Sequence, residues 1–95
     1  MRILLYTTEF CGYCRAAKHL LLSKGLDFEE IDVSEDESKR TEMIARAGGL
    51  RTVPQIFIDG THVGGYQELA SLDRQERLDA RLADDEPEMV AGARS

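Results

Sequence analysis

Apolar and polar positions alternate along this chain with a period that changes several times, and each change marks an element. Arg2 to Thr7 reads as a short buried strand, carrying Ile3, Leu4, Leu5 and Tyr6 and ended by the polar stretch Thr7-Thr8-Glu9. From Cys11 the period becomes helical. Tyr13, Ala17, Leu20 and Leu21 recur at i, i+4, i+7 and i+8, one face of a helix, and Gly25 stands where the glycine just past a helix end is expected. Phe28 to Val33 sets Phe28, Ile31 and Val33 among acidic residues, which predicts a second strand at or near a sheet edge. Ser34 and Glu37 form an S-x-x-E capping signature for a second helix, whose buried face is Met43, Ile44 and Ala47 and whose end is Gly48-Gly49. Gln55-Ile56-Phe57-Ile58 and Thr61-His62-Val63 flank Asp59-Gly60, a hairpin signal. After Gly64-Gly65, the positions of Leu69, Leu72, Leu78 and Leu82 predict a last amphipathic helix.

The predicted order is β-α-β-α-β-β-α. A β-α-β start requires a right-handed crossover between parallel strands, and the hairpin adds antiparallel ones, so the expected architecture is a mixed sheet with helices packed on it. Asp84 to Ser95 carries four acids, one Arg and Pro87 with little periodicity, and reads as a solvated tail of charge −3. Ninety-five residues fit one compact unit and leave no room for a separate cofactor domain. With 42% apolar and 32% charged residues, the chain has a globular balance. The net charge of −6, with no basic stripe, argues against a nucleic-acid or anionic-membrane surface. The apolar run Ile3 to Tyr6 is too short for a membrane span or signal core, which predicts a cytosolic chain.

Two cysteines at C-x-x-C spacing, in a strand-then-helix context, carry the candidate chemistry. At a helix N-terminus, free N–H groups and the positive end of the macrodipole stabilise a thiolate and lower its pKa from about 8.5 into the reactive range. Cys11, the outer residue, is expected to be that thiolate, and Cys14 lies on the same side of the first turn, where a disulfide can close. Arg15 and Lys18 add positive charge nearby and Glu9 opposes them. Two thiolates are also half of a zinc site, but no second C-x-x-C exists and only His19 and His62 remain to complete four ligands. Both histidines read as solvated or partly packed side chains.

Two further elements are informative. Pro54, in Thr52-Val53-Pro54, lacks the N–H that a central ladder needs and belongs at the start of a strand. From spacing alone an ordinary trans proline is favoured. A cis bond there would turn the Val53 N–H and C=O outward, available to an extended peptide. Gly64-Gly65 is either a plain turn or a backbone surface whose N–H groups hold a carboxylate.

C-x-Y-C after a first strand, T-V-P before I-F-I-D-G, and G-G before a helix, in this order, resemble the glutaredoxins over residues 1–83, most of all the small bacterial dithiol members. The resemblance implies a thioredoxin fold with a mixed four-stranded sheet, a glutaredoxin domain at 1–83 followed by an acidic flexible tail at 84–95, a cis peptide at Val53-Pro54, and a glutathione groove beside Cys11. By the same resemblance Cys11 is the nucleophile and Cys14 the resolving thiol. Tyr13 flanks the groove, Thr52, Val53 and Pro54 offer it backbone, and the N–H groups of Tyr66 and Gln67 hold the γ-glutamyl carboxylate. The implied activity is glutathione-dependent reduction of protein–glutathione mixed disulfides and protein disulfides by a cytoplasmic monomer. Glutathione is the co-substrate, and no tightly bound cofactor or metal is needed.

Three departures from the family pattern stand out. Gly12 replaces the usual proline of C-P-Y-C, Thr8 replaces a common lysine, and Tyr66-Gln67-Glu68 replaces an acidic run, which leaves Glu68 to meet the γ-glutamyl ammonium. Two alternative activities follow from the same motifs. One is a dimer holding a 2Fe-2S cluster through Cys11 of each subunit and two glutathione thiols, which Gly12 resembles. The other is a thioredoxin-like reductant served by a reductase.

Overall fold

The computed structural model describes residues 1–78. Its elements are β1 (Ile3–Thr7), α1 (Gly12–Ser23), β2 (Glu29–Asp32), α2 (Glu37–Arg46), β3 (Gln55–Ile58), β4 (Thr61–Gly64) and α3 (Tyr66–Arg74). The strands lie in the order β2-β1-β3-β4. β1 and β2 run parallel, joined by the α1 crossover, while β3 is antiparallel to β1 and to β4. The predicted mixed four-stranded sheet is present, with β2 at the expected edge. Asp59 and Gly60 both have positive φ, 52° and 83°, the left-handed pair that closes a two-residue hairpin with the twist of its strands.

Alternation along β1 divides the interior into two layers. Ile3 and Leu5 point to one side of the sheet and join Ala17 and Leu21 of α1, Leu26, Ile56, Leu69 of α3 and Leu78. Tyr6 points to the other side and joins Val33, Met43 and Ala47 of the α2 segment, and Phe57. In this second layer the buried Tyr6 hydroxyl donates to Glu42 Oε2 and accepts from Arg46 Nη1 at 2.8 Å. The Arg46 guanidinium also lies 4.9 Å from the centre of the Phe57 ring.

Two expected boundaries shift. The N-cap of α2 is Asp36, not Ser34: the Asp36 carboxylate accepts the Lys39 N–H at 3.0 Å, and Glu37 is the first helical residue. The Ser34 hydroxyl is engaged by a long-range partner, the Glu9 N–H at 2.7 Å, which fixes the loop ahead of α1. α3 ends at Arg74, so Leu78 reaches the core from the segment after the helix, not from within it. Leu82 and the expected tail lie outside the described residues. Among the described residues, no helix is long and apolar enough to cross a membrane.

Candidate active site

β1 delivers the chain to the loop Thr8–Phe10, and Cys11 follows as the N-cap of α1 in extended conformation, φ −143° and ψ 107°. Serine, threonine and aspartate usually fill this position with a side-chain oxygen, and here a sulfur does so. The Cys14 N–H donates to Cys11 Sγ at 3.0 Å. An N–H and a helix N-terminus aimed at one sulfur favour its anionic form whenever it is reduced. In this structure Cys11 and Cys14 are joined as a disulfide, their Cα atoms 5.2 Å apart. The two ends of the bond differ in access: Cys14 is 1% exposed, while Cys11 is half-buried. Attack from outside therefore reaches Cys11.

The expected cations are only partly at the sulfur. Lys18 turns to Glu30 on β2, Nζ to Oε2 2.9 Å, and Arg15 remains exposed on the first turn of α1. Burial opposes the charged form of Glu30 but is outweighed by hydrogen bonds from the Thr7 hydroxyl and Lys18, so its carboxyl lies below the usual range. Neither histidine approaches the thiols as a ligand set. His19 is exposed, His62 binds Gln55, and no group of three or more His, Cys, Asp or Glu side chains suited to a metal ion occurs among the described residues.

Beside Cys11 lies a groove of about 210 Å³, lined by Tyr13 on one side, Thr52, Val53 and Pro54 on another, and Gly65, Tyr66, Gln67 and Glu68 along the start of α3. Every binding position expected from the sequence lines it. The Val53–Pro54 peptide is cis, and the Val53 carbonyl oxygen lies 3.9 Å from Cys11 Sγ. Tyr13, 61% exposed, stacks on Tyr66 with ring centroids 6.1 Å apart and planes 28° apart, so the side chains of α1 and α3 meet across the groove mouth. Glu68 differs from expectation. Its Oε1 accepts the Gly65 N–H at 2.8 Å at the start of α3, and one carboxylate oxygen is thereby engaged within the protein.

Three residues at the site carried no functional expectation. Phe10, immediately before Cys11, is 89% exposed, an aromatic ring in water at the rim of the reactive sulfur. Its signal in the sequence is an isolated aromatic in an otherwise polar loop. Gln55 and His62 form a hydrogen-bonded pair behind Thr52. They were hidden because both occupy alternating strand positions that pattern alone reads as ordinary.

Residues 3–63 match the family model described as Glutaredoxin. Over 78 residues the chain is 50% identical to Glutaredoxin 3 of Escherichia coli strain K12, covering 82% of this chain and 93% of that protein. The solution structure of a glutaredoxin from Brucella melitensis aligns with a TM-score of 0.72 at 44% identity, covering 84% of this chain and 86% of that one. The crystal structure of a buckwheat glutaredoxin–glutathione complex aligns with a TM-score of 0.73 at 26% identity, covering 80% and 71% respectively. Glutaredoxins use glutathione as co-substrate. A helix-capping, accessible sulfur linked to a buried one is the arrangement thiol–disulfide exchange requires, and with these matches the chain belongs to the glutaredoxin family of thiol–disulfide oxidoreductases.

Proposed function

We propose that this protein reduces protein–glutathione mixed disulfides with glutathione as electron donor, and reduces protein disulfides through the Cys11–Cys14 pair. The observation that carries this reading is the groove abutting the accessible sulfur, with backbone at 52–54 on one wall and the start of α3 on another. Thiolate exchange needs the attacking, central and leaving sulfurs in line, and a groove that holds the glutathionyl group beside Cys11 supplies that alignment. Cys11 thiolate attacks the glutathionyl sulfur, forming Cys11–S–SG and releasing the protein thiolate. A glutathione thiolate then attacks Cys11–S–SG, giving glutathione disulfide and regenerating Cys11. On protein disulfides Cys14 displaces the substrate from its mixed disulfide with Cys11, and two glutathiones reopen the resulting Cys11–Cys14 bond.

In this reading Thr52 and Val53 meet the cysteinyl backbone of glutathione, Pro54 holds the wall, Tyr13 flanks the ligand, and the Tyr66 and Gln67 N–H groups take the γ-glutamyl carboxylate at the positive end of α3. The working unit is residues 1–83 acting as a monomer in the cytosol, with 84–95 dispensable for exchange. The fact that each chain offers one accessible thiol also fits a second reading, a dimer sharing a 2Fe-2S cluster through Cys11 of each chain and two glutathiones.

The test is turnover of a glutathionylated peptide with glutathione, glutathione reductase and NADPH, without thioredoxin reductase. Wild-type protein turns over, Cys11→Ser is inactive, and Cys14→Ser keeps deglutathionylation while losing reduction of a protein disulfide. Activity in Cys11→Ser would reverse the two cysteine roles, and activity that requires thioredoxin reductase would replace glutathione as the donor. Anaerobic reconstitution with iron, sulfide and glutathione tests the second reading: a brown dimer lost in Cys11→Ser supports it, and a colourless monomer removes it.

A further inference from the structure

Gln55 is the first residue of β3 and is 1% exposed, so every polar atom of its amide must find a partner inside the protein. Its Nε2 lies 3.0 Å from the Thr52 carbonyl oxygen and 3.2 Å from the Thr52 hydroxyl. Its Oε1 lies 2.7 Å from His62 Nε2 on β4. The direction of these bonds is fixed by chemistry. A backbone carbonyl only accepts, so the amide nitrogen must face Thr52 and the amide oxygen must face His62. The histidine ring must then donate, which selects the Nε2–H neutral tautomer or the imidazolium and rejects the Nδ1–H tautomer. With the rejected tautomer the amide would turn over, setting its oxygen against the Thr52 carbonyl oxygen. His62 is itself held in place: it stands opposite Phe57 in the β3–β4 register, with ring centroids 5.0 Å apart.

We infer that His62 is a positioning residue for the exchange reaction. Through the buried Gln55 amide it anchors Thr52, and with it the adjoining Val53 carbonyl beside Cys11, on the rigid hairpin. The inference rests on the reading of the 52–54 wall as the seat of the glutathionyl backbone. Thr52 is exposed and lies between α2 and β3, outside either element, so the sheet supplies the rigidity that the loop lacks. A pre-set wall takes its ligand with less ordering, and loosening it removes binding without touching the sulfur chemistry.

His62→Phe keeps a ring against Phe57 and deletes the donor, whereas His62→Gln places an amide N–H near the position of Nε2. For a glutathionylated peptide, His62→Phe should raise KM about three- to tenfold, the loss of one hydrogen bond, with kcat changed by less than about twofold. His62→Gln should bring KM back to within about twofold of wild type. An unchanged KM in His62→Phe, or a His62→Gln variant as impaired as His62→Phe, would overturn the inference. Nitrogen-15 NMR of the wild-type histidine rings, recorded above the ordinary histidine titration range, gives an independent decision: Nε2–H at His62 supports the relay, and Nδ1–H sinks it even if both variants fail to fold. Wild-type protein that cannot turn over the peptide at all would instead overturn the glutathione reading, whatever tautomer His62 shows.

Discussion

The two layers beneath and above the sheet are built differently. The buried members of the layer under α1 and α3 are all aliphatic, with Ile3, Leu5, Ala17, Leu21, Ile56 and Leu69 among them forming one dry cluster, and Phe28 and Tyr66 pack at its margin. The layer under α2 mixes apolar side chains with polar chains that cross it: Tyr6 with Glu42 and Arg46, and Gln55 between His62 and Thr52. The thiol pair sits at the end of the dry layer, because Cys14, Ala17 and Leu21 are one buried stripe of α1 and packing that stripe fixes where the helix N-terminus points. The polar layer carries no reacting atom, yet one of its chains ends at the groove wall. One layer thus positions the nucleophile by packing, and the other positions the opposite wall by hydrogen bonds.

Leu21→Ala is the most damaging test of that contrast. Leu21 is fully buried among aliphatic neighbours, and its truncation should cost about 2–5 kcal/mol of unfolding free energy, measured by urea titration of the reduced protein. That is a large share of the about 5–15 kcal/mol typical of a whole domain. Exchange should decline only with the folded fraction. A variant as stable as wild type would mean that packing does not fix α1.

Tyr6→Phe probes the other layer and should cost less, about 0.5–1.5 kcal/mol, since the ring stays packed against Phe57 and the half-exposed Glu42 can rehydrate. The acid side of the stability profile should change as well. The Tyr6 hydroxyl is the main reason that the Glu42 carboxyl titrates below its ordinary value, with Lys39 and Arg46 contributing. A carboxyl with a depressed folded-state pKa adds stability that is fully present above its unfolded-state value and is lost as pH falls through the folded-state value. The gap between wild type and Tyr6→Phe should therefore be widest near neutrality and should narrow below about pH 4. A loss matching that of Leu21→Ala would erase the distinction between the layers.

The dry layer was the more legible of the two in the sequence, and the reason is physical. Helical spacing of Ala17 and Leu21 and the alternation of Ile3 and Leu5 are local signals, and so are C-x-x-C and Asp59-Gly60, so topology and sulfur placement followed directly. The polar layer depends on partners distant in sequence. Tyr6 and Glu42 are 36 residues apart, and Ser34, which locally imitates a cap, is drawn away by Glu9 at a separation of 25. Glu68 illustrates the same limit at the site. Its position beside the groove was readable, but the Gly65 N–H it accepts emerges only when α3 forms.

The smallest effect is expected at the reactive end of the dry layer, from Gly12→Pro. Gly12 is the first residue of α1, where the N–H has no partner within a helix and the fixed φ of proline is favourable. Cys11 ahead of it is already extended, as a residue preceding proline prefers to be. A side-chain carbon at position 12 would meet only an Arg15 guanidinium nitrogen at 4.0 Å. The substitution should therefore stabilise the reduced protein by about 0.4–1 kcal/mol through the unfolded chain, a rise of about 2–8 °C in Tm. In the oxidised protein the gain should be smaller, because the Cys11–Cys14 bond already restricts that loop when the chain unfolds. Calorimetry of both redox forms measures the difference directly. Equal gains would place the benefit in the folded state, and a lower Tm in the reduced form would mean that the end of α1 bearing the nucleophile requires a freedom that its dry, close-packed stripe does not suggest.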